Sequence, residues 1–345
     1  MKKITVLPGD GIGPEVTSAG LAILSRIERK FSQLTFELEE CRCGAGEFLR
    51  GGDPLPDSTM RSCRESDAIL LGAMGMPNVR WPDGREMAPQ LDLREQLDLY
   101  AGVRPVRLFN KAHSPLRNPV IDYVLVREST EGLFTSRLRQ RAKGEPEVRD
   151  ELLVTRAGSE RLFHFAFRLA RTRKRQLTLI DKANVLPSMA FFREVFDEVA
   201  GQYPDVTAER VYVDAMAMFL VRNPERYDVL VTENMFGDIL SDLAAGTVGG
   251  MGMAPSADIG SRWAVFQPAH GSAPDIAGQG KANPVGMILS VAMMLEWFGD
   301  RESVEAAAIT RHAVETVLAD AANATPDLGG KLTTNELTAL IEAAI

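Results

Sequence analysis

Cysteine and histidine are scarce. The 345 residues hold three cysteines, Cys41, Cys43 and Cys63, and four scattered histidines, His113, His164, His270 and His312. An odd, sparse cysteine set excludes a disulfide-stapled scaffold and suits a reducing compartment. Histidines so dispersed give no zinc-ligand spacing. Long hydrophobic runs are missing too. The longest, "VGMILSVAMML", has 11 residues, too few to span a bilayer. The chain enters a strand-like run at once ("MKKITVLP") and shows no signal peptide, so a cytoplasmic protein without a membrane partner is expected. Positive charge is in deficit, with a net charge of −8 and a pI near 5.3. The one basic run, "RTRKR" (171–175), closes an amphipathic pattern, "SERLFHFAFRLA", and reads as a helix C-terminus facing solvent. No nucleic-acid partner is expected. Repeats, low-complexity tracts and long linkers are also absent.

What is present is an alternation. "KKITVL", "DAILLGA", "YVLVRE", "QLTLID", "ERVYVDA" and "YDVLVTE" read as strands; "PEVTSAGLAILSRIERKF", "LPSMAFFREVFDEVA" and "GDILSDLAAG" read as helices. That rhythm predicts an α/β fold with much parallel sheet. Two further helices are expected near 302–320 and 334–344. Residues 135–156, charged, alternating and centred on "KGEP", break the rhythm and read as a β-hairpin or arm leaving the main body. The glycine loop "VLPGDGIGPEV" (6–16) sits between a strand and a helix. It fails the G-x-G-x-x-G dinucleotide fingerprint, because the third position falls on Pro14 or Val16, and no GK[ST] follows for a P-loop. A tight turn with Pro14 opening the helix is the plain reading.

"VTENMFGDILSD" (231–242) carries Asp238 and Asp242 four apart, on one face of a helix. Two like charges there destabilise a helix slightly unless a cation lies between them. From these residues alone, a solvated acidic face and a metal site both remain open.

Several stretches together resemble one family: "VLPGDGIGPEV", "LDLREQLDLYAGVRPVR", "VRESTEGLF", "DKANVL", "VDAMAM", "NMFGDILSDLAA" and "HGSAPDIAGQGKANP". In order and spacing they resemble the β-decarboxylating dehydrogenases, which act on isocitrate, 3-isopropylmalate, homoisocitrate and tartrate or D-malate. The resemblance runs from about residue 3 to the C-terminus. It implies the two-lobed isocitrate/isopropylmalate dehydrogenase fold on a shared mixed sheet, not a Rossmann fold. Residues 1–98 and 252–345 would form the cofactor-side lobe. Residues 99–251 would form the substrate, metal and dimerisation lobe, with the arm at about 135–156. It also implies a homodimer whose sites are shared between subunits.

By the same resemblance, Asp238 and Asp242 match a pair that holds Mg²⁺ or Mn²⁺, hard cations that take oxygen ligands. Asp214 matches a third carboxylate from the partner subunit. Arg94, Arg104 and Arg127 match a clamp on the substrate's carboxylates, for which guanidinium forks are suited. Lys182 matches the catalytic lysine that takes or relays the hydroxyl proton, again given across the dimer. Phe134 stands where the family has a tyrosine that helps protonate the enol after CO₂ leaves. The loop His270, Gly271, Ser272, Ala273, Pro274, Asp275, Ile276, with Asn283 and Asp327, matches the adenosine-binding part of the cofactor site. Asp275 suits the ribose hydroxyls of NAD and would repel a 2′-phosphate.

Substrate choice in the family depends on the residues before Arg94. Isocitrate enzymes resemble each other in a serine and an asparagine there, where this chain has Ala88 and Gln90. Isopropylmalate enzymes have an apolar pair, and here only Leu91 remains beside Gln90. The expectation is NAD- and metal-dependent oxidative decarboxylation of a small hydroxy-dicarboxylate of (2R)-malate type. D-malate or tartrate is favoured over isocitrate, with Gln90 bonding the C3 substituent. The alternative is a catalytically silent ligand-binding or regulatory subunit. Such subunits tend to lose the carboxylates or arginines that this chain keeps.

Overall fold

The computed structural model describes residues 1–117, 119–139 and 144–345. In chain order its elements are β1 Lys2–Gly9, α1 Gly13–Lys30, β2 Phe36–Glu40, α2 Ala45–Gly51, α3 Asp57–Glu65, β3 Ala68–Ala73, α4 Pro89–Gln96, β4 Ala101–Arg107, β5 Asp122–Glu128, α5 Arg156–Arg171 and β6 Gln176–Asp181. They continue with α6 Pro187–Ala200, β7 Thr207–Tyr212, α7 Val213–Arg222, β8 Val229–Thr232, α8 Asn234–Thr247, β9 Pro255–Ile259, β10 Ala264–Pro268, α9 Val285–Phe298, α10 Arg301–Leu318 and α11 Thr334–Ala344. The fold is α/β on mixed sheet, as the alternation predicts. The two helices expected near the C-terminus are α10 and α11.

The chain divides into two compact units. One comprises Met1–Asp98, Leu108–Pro115 and Ala245–Ile345; the other comprises Leu99–Arg107 and Leu116–Ala244. The first differs from the division expected at 99 and 252 by two short segments. Residues 108–115 belong with it because Asn110 Nδ2 donates to the Leu318 and Ala319 carbonyls at the end of α10. Ser114 Oγ likewise donates to Thr247 O at 2.6 Å.

In the first unit the strands run β2-β1-β3-β10-β9. All neighbours are parallel except β10 and β9. Helix α9 is apolar and buried on nearly every side, and such a helix belongs inside a core. It packs on α1, α10, β9 and β10. The glycine loop after β1 is a structural tie. Gly9 and Gly11 have φ of +73° and +60°, and a Cβ on Gly11 would lie 1.9 Å from Ser272 O. The buried Asp10 carboxylate accepts from the backbone N–H groups of Ala45, Gly46 and Gly75 at 2.7–2.8 Å.

The second unit runs β4-β5-β8-β6-β7. Only the β4–β5 pair is antiparallel. Helices α5 and α6 close together through Phe163, Phe167, Phe192 and Phe196, with ring centroids 4.6–5.4 Å apart. Two readings need correction here. "VYVDA" is not all strand: β7 ends at Tyr212, and Asp214 lies in the first turn of α7. The β-hairpin expected over 135–156 does not form among the described residues. Leu133–Leu138 is a 3₁₀ turn, and a single bridge joins Gly132 to Leu153. Residues 140–143 of that segment lie outside the described residues. A charged, alternating sequence without an apolar face gives a hairpin nothing to bury. The basic run 171–175 is clipped rather than free. Arg171 pairs with Asp205, and Arg173 bridges Asp122 and the buried Asp228.

Candidate active site

In the second unit, the parallel strands β5, β8, β6 and β7 bring chemistry to one edge. Arg127 sits at the carboxyl end of β5, opposite Thr232 of β8. Lys182 follows the last residue of β6, Asp214 opens α7 just past β7, and α8 starts two residues after β8. Ligands of α/β sheets bind at this carboxyl edge. Arg104 on β4 lies opposite Leu125, so it shares a sheet face with Arg127.

Arg127 is 2% exposed and fully engaged. Its Nε and Nη2 donate to Asn234 Oδ1 at 3.0 and 2.7 Å, and its Nη1 pairs with Asp238. Its guanidinium lies over the Phe134 ring, 5.2 Å from the centroid. Gly237 lets the side chain pass. A Cβ there would lie 2.6–2.7 Å from Arg127 Cγ and Cβ, next to the backbone where nothing can yield. Gly237→Ala is therefore expected to destabilise by about 1–3 kcal/mol through overpacking, outweighing the better helix propensity of alanine. Thermal unfolding is the check, and a raised Tm would refute it.

Asp238 and Asp242 lie one turn apart on α8. The Asp242 carboxyl is pushed above its usual range, first by burial and then by the like charge of Asp238, with Arg104 and Arg127 opposing. An oxygen pair under this tension suits a hard divalent cation. Among the described residues, no three His, Cys, Asp or Glu side chains form a group able to hold a metal. A cation on the α8 pair would need its remaining ligands from elsewhere.

Lys182 and Asp214 form their own pair, Nζ to Oδ1 at 2.8 Å. Lys182 holds the Asp214 carboxyl below its usual range. Tyr212 lies near Lys182, whose Nζ is 5.9 Å from its ring centroid. Thr135, a hydroxyl next to Phe134, donates to Gly132 O at 2.9 Å.

In the first unit, Arg94 and Gln90 sit one turn apart on α4 and so share a face. Arg94 Nε donates to the buried Asp258 at 3.0 Å, and Gln267 Nε2 donates to the same oxygen at 2.7 Å. The pairing fixes the direction of the Arg94 fork. Gln90 Oε1 is buried and accepts no hydrogen bond. Leu91 is half-buried beside it.

The segment expected to meet the cofactor is held on the same unit. Ile12 N–H donates to Ser272 O at 2.8 Å, and Ser272 Oγ donates to Gly75 O at 2.5 Å. His270 Nδ1 faces Gly271 O at 2.9 Å while its buried Nε2 has no partner. Burial pushes this imidazole's pKa down. Gly271, Pro274 and Asp275 are exposed, and Ile276 is half-buried. Ala273 takes a positive φ of 36°, a bend that turns the segment. An orphaned ring nitrogen beside open backbone fits a dinucleotide. Asn283 and Asp327 meet each other at 3.1 Å, and Asn283 Oδ1 accepts from the Val285 N–H at the start of α9. Their side chains are partly spent on holding the segment.

Sequence reading missed Asn234 and Asp258. Asn234 lies four residues before Asp238 on the same helix face, a spacing that signals it. Asp258 lies 164 residues from Arg94, and nothing local marks it.

With this geometry in place, the comparisons with known proteins fall into line. Residues 3–341 match the isocitrate/isopropylmalate dehydrogenase family. The chain is 45% identical to 3-isopropylmalate dehydrogenase of Geobacillus kaustophilus, covering 99% of this chain and 95% of that one. It is 43% identical to the enzyme of the same name from Lactococcus lactis, covering 99% and 98%. Among solved structures, isocitrate dehydrogenase from Methylococcus capsulatus aligns with a TM-score of 0.90 at 37% identity, over 100% and 99% of the two chains. The chain belongs to the isocitrate/isopropylmalate dehydrogenase family of β-decarboxylating dehydrogenases. It is accordingly read as an enzyme, a decarboxylating dehydrogenase.

Proposed function

We propose that the protein catalyses NAD-dependent oxidative decarboxylation of a 3-substituted (2R)-malate with Mg²⁺ or Mn²⁺, as a cytoplasmic homodimer. The observation that carries this is the shared carboxyl edge of β5–β8, where Arg127, Lys182, Asp214 and the Asp238–Asp242 pair all emerge. Keeping all of these groups, with Arg94 and Arg104, argues against a silent regulatory subunit. Its three cysteines are free, in keeping with a reducing compartment. No helix of the described residues is long and apolar enough to cross a membrane.

When bound, the cation supplies Lewis-acid charge and NAD accepts the hydride. The chain's own residues do the rest. Arg94, Arg104 and Arg127 bind the carboxylates and set the acid's orientation. Lys182, positioned by Asp214, would relay the hydroxyl proton in the neighbouring subunit's site, its ammonium first passing a proton to Asp214 or to water. His270 and the segment from Gly271 to Ile276 contact the adenosine of NAD, and Asp275 selects against a 2′-phosphate.

Two readings of the C3 substituent have support. Gln90 favours a small or polar C3 substituent: tartrate brings a C3 hydroxyl that would donate to its buried, unpartnered Oε1, and D-malate, with no group there, leaves room for a water to do so. Leaving that acceptor unpaired beside an isopropyl group would cost about 1–3 kcal/mol. The second reading, 3-isopropylmalate, is favoured by the names of the relatives from Geobacillus and Lactococcus and by Leu91. NADH formation with a panel of these acids, with Mg²⁺ and Mn²⁺, decides. The polar reading fails if kcat/KM for 3-isopropylmalate exceeds that for D-malate and tartrate by about ten-fold or more, the scale of one buried hydrogen bond. If it holds, Gln90→Leu is expected to shift the ratio toward 3-isopropylmalate by about ten-fold.

A further inference from the structure

A cavity of about 410 Å³ opens in the first unit, lined by Pro8 and Gly9 of β1, Pro14, Thr17, Ser18 and Leu21 of α1, Glu40 to Cys43 after β2, and Arg50 of α2. Its volume falls in the range of small-molecule sites, and it lies at the carboxyl ends of two parallel strands. None of the groups assigned above to substrate, metal or NAD lines it. Its wall carries two guanidiniums. Arg50 pairs with Glu47 at 3.3 Å, and the Arg42 side chain has no ion-pair or hydrogen-bond partner among the described residues.

Cys41 lines the same cavity. Cys41 is half-buried, while Cys43 and Cys63 are buried. Burial pushes the Cys43 thiol well up, and the Cys63 thiol to about 12, so neither forms thiolate readily. Cys41 is thus the one cysteine of the three that is open to a reagent and that shares a cavity with cationic side chains.

We propose that this cavity is a modification site, in which Cys41 forms a mixed disulfide with a small carboxylate-bearing disulfide of the glutathione class. The Cys41 thiolate attacks one sulfur of the disulfide. A new S–S bond forms to Cys41, the original S–S bond breaks, and the departing half leaves as a thiolate that takes a proton from water. The protein thiol is oxidised and the departing half is reduced. Arg42 and Arg50 bind the carboxylates, Glu40 faces the ammonium, and Pro8, Pro14 and Leu21 cover the stem. The β1–α1 loop, whose two ends line the cavity, bonds to Ser272 through the Ile12 N–H.

The test uses the full-length protein with glutathione disulfide and, separately, the neutral hydroxyethyl disulfide, followed by intact mass and peptide mapping. A single adduct on Cys41 is expected, and none in Cys41→Ser. In the Arg42→Gln, Arg50→Gln double variant, the rate with glutathione disulfide should fall about ten-fold relative to the neutral reagent, as for two exposed charge contacts. Three outcomes overturn the proposal: first modification at Cys43 or Cys63, no adduct at Cys41 with glutathione disulfide, or a charged-to-neutral rate ratio changed by less than about two-fold. None bears on the dehydrogenase reading, which rests on other residues.

Discussion

Mixing two inactive proteins, Lys182→Ala and Asp238→Ala, is expected to restore about a quarter of wild-type activity once subunits exchange. Removing the general base costs about 10²–10⁴-fold. Asp238→Ala halves the carboxylate pair on α8 and removes one of the partners of Arg127, whose Nε and Nη2 still donate to Asn234. If each site takes Asp238 and Asp242 from one subunit and Lys182 and Asp214 from the other, a heterodimer places both lesions in one site and leaves the second intact. Random exchange makes about half of the dimers mixed, each with one working site of two, which gives the quarter. Lys182 and Asp214 bond to each other at 2.8 Å, so they act from one subunit as a unit. The Lys182–Asp214 pair is largely exposed on the aspartate side, so its loss is expected to leave the fold intact. Thermal unfolding of each variant alone confirms that the fold survives. If native mass spectrometry shows mixed dimers and the mixture stays inactive, the shared site is wrong.

The sequence reveals strand rhythm and motif spacing well, because both are local. Asp238 and Asp242 are four apart whatever surrounds them, and the strand before α8 is an apolar run. The tension at Asp242, and the passage of Arg127 over Gly237, depend on burial and on a neighbour more than a hundred residues away. No periodicity carries that information. Arg94 is similar: its motif marks it, while the Asp258 and Gln267 that aim it come from β9 and β10. The glycine loop is the opposite case. Its glycines tempt a ligand reading, but the failed fingerprints leave a tight turn, and Asp10 and the positive φ of Gly9 and Gly11 serve the chain's own backbone. Of the hairpin or arm expected over 135–156, the hairpin does not form among the described residues, because alternation of charge mimics strand periodicity without an apolar face to bury.

Phe134→Tyr is expected to speed release of the protonated ketone while leaving NADH formation within about two-fold, because hydride transfer does not use the proton a tyrosine hydroxyl would give. The resemblance places a tyrosine at this position to protonate the enol after CO₂ leaves. Phenylalanine keeps the ring, and with it the stacking under Arg127 at 5.2 Å, but has no proton to give. Restoring one acid acts on the step it serves by about 10²–10⁴-fold. The neighbouring Thr135 hydroxyl already donates to Gly132 O, which ties it to the backbone. Tyr212, beside Lys182, is the phenol to control for, so the substitution is repeated with Tyr212→Phe. NADH is followed by absorbance, and the ketone by rapid quench and derivatisation, with the best substrate of the panel. A gain in ketone release confined to Phe134→Tyr, present in both backgrounds, identifies the missing hydroxyl as the limit. If both rates stay within about two-fold in both backgrounds, enol protonation does not limit this enzyme, since a working acid would exceed that margin.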